Sequence, residues 1–360
     1  MTISPDYSRR VARQVRSFYQ TAEDVTLERI VKALGKGLDS PDWANRKAGD
    51  LSAVLRVVDT HLARLDEAAP ELITRSIAEA YQAGESEAVA ALRAAGIDAI
   101  GGARGSRAVD LLAEDTVRAL SGLRPRLIRT VSDVYQQVTA ETTAQVLTGA
   151  QTRREAARAA VRRYALDGVK PFVDSSGRRW EAGSYAEMAT RTTAGRAAIE
   201  GHTDQLQALG QDLVIVSSSP ESCDLCGPWE GEVLSISGDT SGQLADGVEV
   251  AGTVGEARSA GLQHPNCTHT VGIYLPGRTS ADTTTRDPDG HKTRQQQRSF
   301  ERSIRRQKRA ALFDEQMLGT DAPQTTKTRQ RLRQRQTEFK AWRDANDRKN
   351  LGYRTNLTAR

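Results

Sequence analysis

A chain of 360 residues with 38% hydrophobic, 27% charged and only 5% aromatic content is long enough for two or three domains, and suits helices better than a β-sandwich. Its longest clean apolar run, Leu213 to Val216, is too short to cross a bilayer. No apolar stretch follows the early charges of the N-terminus, so a soluble protein of the reducing cytosol is expected, without a secretory signal. The net charge of +5 is uneven: residues 281–360 hold 20 Lys+Arg against 10 Asp+Glu, whereas residues 1–280 hold 31 against 36. A mildly acidic body with a basic tail fits a polyanion or an acidic protein surface as partner, or else a solvated helical face.

Residues 1–165 read as a helical assembly region. Val11, Val15, Phe18, Ala22, Val25, Ile30, Val31 and Leu34 recur near the helical period. After the Gly35-Lys36-Gly37 break, Ser40-Pro41 marks a helix entry. Leu51, Leu55, Val58, Leu62 and Leu65 predict one helix, and Leu72, Ile73, Ile77, Tyr81 and Leu92 a separate one. The Gly-rich stretch 94–105 is a boundary or hinge, and a further helical pair follows with its break near Pro125.

Residues 166–277 change character. Phe172-Val173 and Arg178-Arg179-Trp180 predict a hairpin turning at Asp174-Ser175-Ser176-Gly177. A helix is expected from Ser184, capped with Glu187 and ended by Gly210. Then come a buried strand "DLVIV", a strand "GEVLSI", a loop, a short helix near "TVGEARSAGL" and a last strand "HTVGIYLP". Residues 278–360 read as a polar linker and two basic helical segments, one carrying Phe300, Ile304, Ala311 and Leu312, the other Leu332, Phe339 and Trp342. The fold class is therefore α+β: a mainly helical N-terminal half, a small α+β zinc-knuckle module and a basic helical C-terminal tail.

All three cysteines fall in the middle module. Cys223, Cys226, His264 and Cys267 form C-x2-C, 37 intervening residues, then H-x2-C, with His269 as an alternative fourth ligand. Thiolates and imidazole are the usual ligands of tetrahedral Zn2+, and four protein ligands leave no open position, so a structural zinc is expected. Inert buried thiols and a redox pair are the competing readings. Against the redox pair, Gly227-Pro228 follows Cys226 where a thioredoxin-like motif needs a helix.

The stretches "FVDSSGRRWEAGSYAEMATRT", "LVIVSSSPESCDLCGPWEGEVLSISG" and "AGLQHPNCTHTVGIYLPG" resemble the minor capsid protein 2 family of tailed phages, related to the Mu F-type head morphogenesis proteins. The resemblance is close over residues 166–277, extends to "FERSIRRQKRA" in the tail, and covers the N-terminal helices in kind. Thr268 departs from it, since a basic residue is usual there. The resemblance implies a minor head component present in few copies, of phage or prophage origin. It would associate with portal protein and major capsid or scaffold proteins on the capsid interior, and reach the virion from the host cytoplasm.

Two enzyme classes compete. The Glu230-Gly231-Glu232 pair near Ser217–Ser219 is similar to part of an ADP-ribosyltransferase site, but the spacing is too short for that fold, and a solvated strand start is expected. A metal-dependent nuclease delivered with the virion would need His264 or His269 free to activate water. Of the other histidines, His61 reads as packed, His202 as solvated and His291 as part of the linker. In the tail, Arg305, Arg306, Lys308, Arg309, Lys327, Arg329, Arg331, Arg333 and Arg335 are candidate contacts to double-stranded DNA or to an acidic partner. The second group alternates every two residues, which would line one side of an extended chain but spread around a helix.

Overall fold

The computed structural model describes residues 6–357 apart from 38–39, 41, 102–104, 148–151, 168–171, 174–176, 178, 281–283, 286 and 288. Pro41, Asp174, Ser175, Ser176 and Arg178, invoked above for a helix entry and a hairpin, lie outside the described residues. The helices are α1 Asp6–Gly35, α2 Trp43–Ala94, α3 Arg107–Ser121, α4 Leu123–Leu147, α5 Arg153–Asp167, α6 Ala182–Ala208, α7 Val254–Ser259, α8 Gly290–Leu318, α9 Pro323–Ala345 and α10 Gly352–Thr355. The strands are β1 Phe172–Val173, β2 Arg179–Trp180, β3 Leu213–Val216, β4 Val233–Ser235, β5 Gly242–Gln243, β6 Glu249–Thr253 and β7 Val271–Ile273. The α+β class is therefore observed, with helices dominating and one small mixed sheet.

Several expectations change in detail. The two helices expected over residues 51–92 are one, α2, which carries Pro70 inside it. Proline removes a single backbone donor, and the apolar stripe of Leu65, Ala69, Ile73 and Ile77 stays buried across it, so packing holds the helix continuous. Ser184 does not cap α6, which already begins at Ala182 with the Tyr185 amide donating to the Glu181 carbonyl. The loop expected before α7 contains β5 and β6, strands too short and too polar to show a period.

The chain divides into two compact units, each made of three separated segments: residues up to 15, 70–119 and 186–294, and residues 16–69, 120–185 and 295 onwards. In the first unit the strand order is β5-β6-β4-β3-β7, with β3 antiparallel to β4 and β7, β6 parallel to β4, and β5 antiparallel to β6. Leu213, Ile215, Val233, Val250 and Tyr274 form its core cluster. Thr253 and Glu256 build a reciprocal capping box that starts α7 directly from β6.

Also in this unit, α2 and α6 meet backbone to backbone. A Cβ on Gly84 would lie 1.9 Å from the Ala198 carbonyl oxygen, and one on Gly201 2.0 Å from that of Tyr81. The Tyr81 hydroxyl donates to Asp204 at 2.9 Å across the same contact. His202 lies beside the crossing and is 1% exposed, not solvated as the polar sequence around it suggests. Burial holds its imidazole down at about 4, in the neutral form at neutral pH.

The second unit is helical apart from the β1–β2 hairpin, in which Phe172 pairs with Trp180 and Gly177 turns at φ 79°. Trp43 is fully buried and donates through Nε1 to the Leu34 carbonyl at 3.2 Å, closing α1 against the start of α2. Arg124 of α4 donates to Asp59 at 2.7 Å and Asp66 at 3.2 Å on α2. The C-terminal helices are built into this unit. Arg309 of α8, 3% exposed, donates to Glu23 at 2.9 Å and Glu181 at 2.8 Å, and Arg305 also pairs with Glu181. Arg162 of α5 pairs with the buried Asp314 at 2.9 Å, and Asp314 accepts from Thr328 of α9 at 2.6 Å. Phe300 stacks on Phe339 and Trp342 at 5.4 Å each, clasping α8 to α9.

Two stability outcomes follow. Gly84→Ala or Gly201→Ala forces backbone apart and should cost about 1–3 kcal/mol or more, read from urea unfolding midpoints. Arg309→Ala takes the ion-pair partner from the buried Glu23 and leaves Glu181 to Arg305 alone, and should cost about 3–5 kcal/mol, whereas Ala at the exposed Arg331 should change stability by no more than about 0.5 kcal/mol in the same assay.

Candidate metal centre

Two loops of the first unit bring the cysteines and histidines together. The first leaves β3 and carries Cys223 and Cys226 into a single 3-10 turn, Gly227–Trp229. The Gly227 amide donates to the Cys223 carbonyl at 2.9 Å, and the Trp229 amide to the Cys226 carbonyl at 3.0 Å. Pro228 suits that turn, since its missing amide would have no helical partner there. The second loop follows α7. Its "HPNC" tetrapeptide is a tight turn closed by the Cys267 amide donating to the His264 carbonyl at 2.9 Å. Pro265 supplies the fixed φ of the second position, and Asn266 takes the left-handed φ of 71° at the third, the residue types a type II turn selects. Gln263 at φ 62° and Gly261 at φ 112° bend the chain into that turn.

The result is two triads that share Cys226. Cys223, Cys226 and His264 have ligand atoms all within 4.8 Å of one another, and so do Cys226, Cys267 and His269. The closest approaches are Cys223 Sγ to His264 Nε2 at 3.1 Å, Cys226 Sγ to Cys267 Sγ at 3.5 Å, and Cys267 Sγ to His269 Nδ1 at 3.4 Å. All four expected ligands and the alternative His269 are thus gathered in one place, where they could hold a metal ion. Three thiols and two imidazoles are a soft, nitrogen- and sulfur-rich donor set, which fits zinc chemistry and not calcium or magnesium.

The electrostatics favour the thiolate at Cys267 and Cys223 and the thiol at Cys226. The Cys226 thiol donating to Cys267 brings the latter down to about 4 against the opposing effect of burial, helped by the ring and backbone amide of His269. Cys226 is raised correspondingly, by its bond to Cys267 and by burial. For Cys223, burial opposes ionisation, but the Cys226 amide and the His264 ring outweigh it and lower the thiol.

Glu230 is a member of this site that the sequence reading placed in solvent. Its side chain is 10% exposed; Oε1 accepts from the Ser219 amide at 2.7 Å and lies 2.7 Å from His269 Nε2. The Gly231 backbone at φ 77° turns the chain directly after it, which lets the carboxylate fold back beneath the cluster. A signal was present in its position, four residues past the second cysteine and just ahead of that glycine. Beside the cluster lies a cavity of about 540 Å3 whose wall includes His264, Cys267, Thr268, Arg191 and Arg196. Thr268, the departure from the resembled pattern, therefore lines a cavity wall.

The nine tail cations are placed unequally. Arg305 and Arg309 are buried ion-pair partners, which corrects their assignment as contacts for DNA or a partner: their charge is spent inside the unit. Burial moves Arg305 down to about 9. Arg306 is exposed and Lys308 donates to Asn356 at 2.8 Å. On α9, Arg329 pairs with Glu315 at 3.0 Å, and Arg335 lies over the Phe300 ring at 4.3 Å and pairs with Glu338 at 2.9 Å. Lys327, Arg331 and Arg333 are exposed. Because this segment is helical, alternation by two spreads these charges around α9 and does not line one edge.

No helix among the described residues is long and apolar enough to cross a membrane. A structural protein of Lactococcus phage LL-H is 25% identical over 180 residues, 49% of this chain and 48% of that protein, so the chain matches about half the length of that relative. No solved structure matches it. The family described as phage minor capsid protein 2 matches residues 3–343, which take in both compact units, the cysteine–histidine cluster and the basic helices, and the chain belongs to that family.

Proposed function

We propose that the chain is a non-enzymatic structural component of the phage head. In this reading it docks near the portal on the inner side of the capsid and touches portal and major capsid or scaffold proteins. The observation that carries it is the extent of the family match, residues 3–343. The name of the LL-H relative, a structural protein, agrees. Glu230, a carboxylate at the cluster, is engaged by the Ser219 amide and His269, in keeping with a structural centre.

Within this function the cluster holds one Zn2+ through Cys223, Cys226, Cys267 and one histidine. The ion would cross-link two loops beyond the point where the β3–β7 pairing ends, and so stabilise the fold rather than activate water. Purified protein is expected to contain one equivalent of zinc by elemental analysis, and Cys223→Ser to lose metal and stability together. A variant with unchanged metal content and stability would contradict the assignment.

The exposed cations of α9 are the proposed nucleic-acid contacts, binding phosphate without reading bases. In gel-shift titrations of the full chain, replacing Lys327, Arg331 and Arg333 by Ala should flatten the dependence of log affinity on log salt by about 3 units. Failure of the wild-type chain to retard duplex DNA at low salt would reject DNA as the partner. Co-purification of the wild-type chain with its portal protein is the direct check on docking.

A further inference from the structure

The two triads that share Cys226 together offer three thiols and two imidazoles, and a tetrahedral ion that takes all three thiols needs only one of the imidazoles. Each imidazole already has one nitrogen engaged. His264 Nδ1 lies 2.8 Å from the carbonyl of its own neighbour Pro265, and His269 Nε2 lies 2.7 Å from the Glu230 carboxylate. The nitrogens left for an ion are therefore His264 Nε2, facing Cys223, and His269 Nδ1, facing Cys267.

The surroundings of the two rings differ. His269 is buried, and its partner Glu230 is itself fixed by the Ser219 amide at 2.7 Å. The amide of His269 also donates to Cys267 Sγ at 3.3 Å, which ties the histidine backbone to a neighbouring ligand. Both rings border the cavity, but His264 is only half-buried, and the partner of its far nitrogen is a carbonyl of its own turn. A carboxylate on the far nitrogen fixes the tautomer and orientation of a ligating imidazole and raises its basicity, and loss of such a partner weakens metal binding about 10–100-fold.

From this difference we infer that His269, not His264, completes the metal centre with Cys223, Cys226 and Cys267, and that Glu230 is the residue that positions it. His264 is then a half-buried neighbour of the centre and not a ligand. This inference rests on the metal reading given above and names the ligand within it.

The test uses the full chain, stripped with a chelator and titrated with Co2+, whose thiolate charge-transfer and visible ligand-field bands report ligand number and type, followed by displacement with Zn2+. Wild type is expected to take up one Co2+ with a tetrahedral spectrum. His264→Ala should keep both affinity and spectrum. Glu230→Gln should bind about 10–100-fold more weakly, with the circular dichroism of the metal-free form unchanged, and His269→Ala should lose at least as much. His269→Cys, which restores a ligand at the same place, should recover binding with stronger charge-transfer absorption, a result that a folding defect at this position would not produce. Loss of the tetrahedral spectrum in His264→Ala with retention in His269→Ala would overturn the inference while leaving the metal reading intact. A wild-type chain that takes up no Co2+ would overturn both.

Discussion

Arg309 is enclosed between Glu23 and Glu181, and Arg305 shares the second of these carboxylates. Charges at that depth are tolerated only in pairs, because an ion taken from water without a partner costs several kcal/mol. The pairing therefore dictates which turn of α8 faces α1 and the start of α6, and much of the second unit is arranged around that requirement. Burial drives Glu23 up and Arg305 down; their mutual attraction opposes both shifts, and Arg309 adds to the attraction on Glu23 while repelling Arg305. Once α8 is set, the Phe300, Phe339 and Trp342 rings hold α9 to it, and Asp314 joins α8 to α5 and α9. The basic C-terminal region is thus an integral part of a packed unit, and only some of its cations are available to a partner.

The first unit depends on a different constraint, the absence of side chains. Gly84 and Gly201 let two helices approach until backbone touches backbone, which no other residue pair would permit at those distances. His202 is sealed beside that crossing. The same stretch of α6 also reaches the second cysteine loop, where the Asn266 amide donates to Thr192 Oγ1 at 3.3 Å. Helix crossing, turn and cluster form one connected structure within the unit.

The cluster combines two kinds of order. Local order comes from the turns: the C-x-x-C stretch runs into a 3-10 turn, and the "HPNC" stretch takes a left-handed asparagine after proline. Long-range order comes from Glu230 and Ser219, which hold His269 from the opposite loop. An ion bound among these groups would join the two loops beyond the last backbone bond between them, from the Ser217 amide to the Thr270 carbonyl.

The sequence by itself determined the helical character of residues 1–165, the hairpin at Phe172–Trp180, the strands at Leu213 and Val271, and the membership of all three cysteines in one centre with His264 and His269. These features rest on local physics: a 3.6-residue period, turn-forming residues, and a ligand spacing that needs little context. The tertiary structure decided the rest. It made one helix of residues 43–94 despite Pro70, buried His202, drew Glu230 against His269, and turned Arg305 and Arg309 from candidate surface cations into internal ion pairs. Composition reports that a residue is polar but not whether its partner comes from a segment hundreds of positions away. Arg309 and Glu23 are 286 residues apart, and only folding brings them to 2.9 Å.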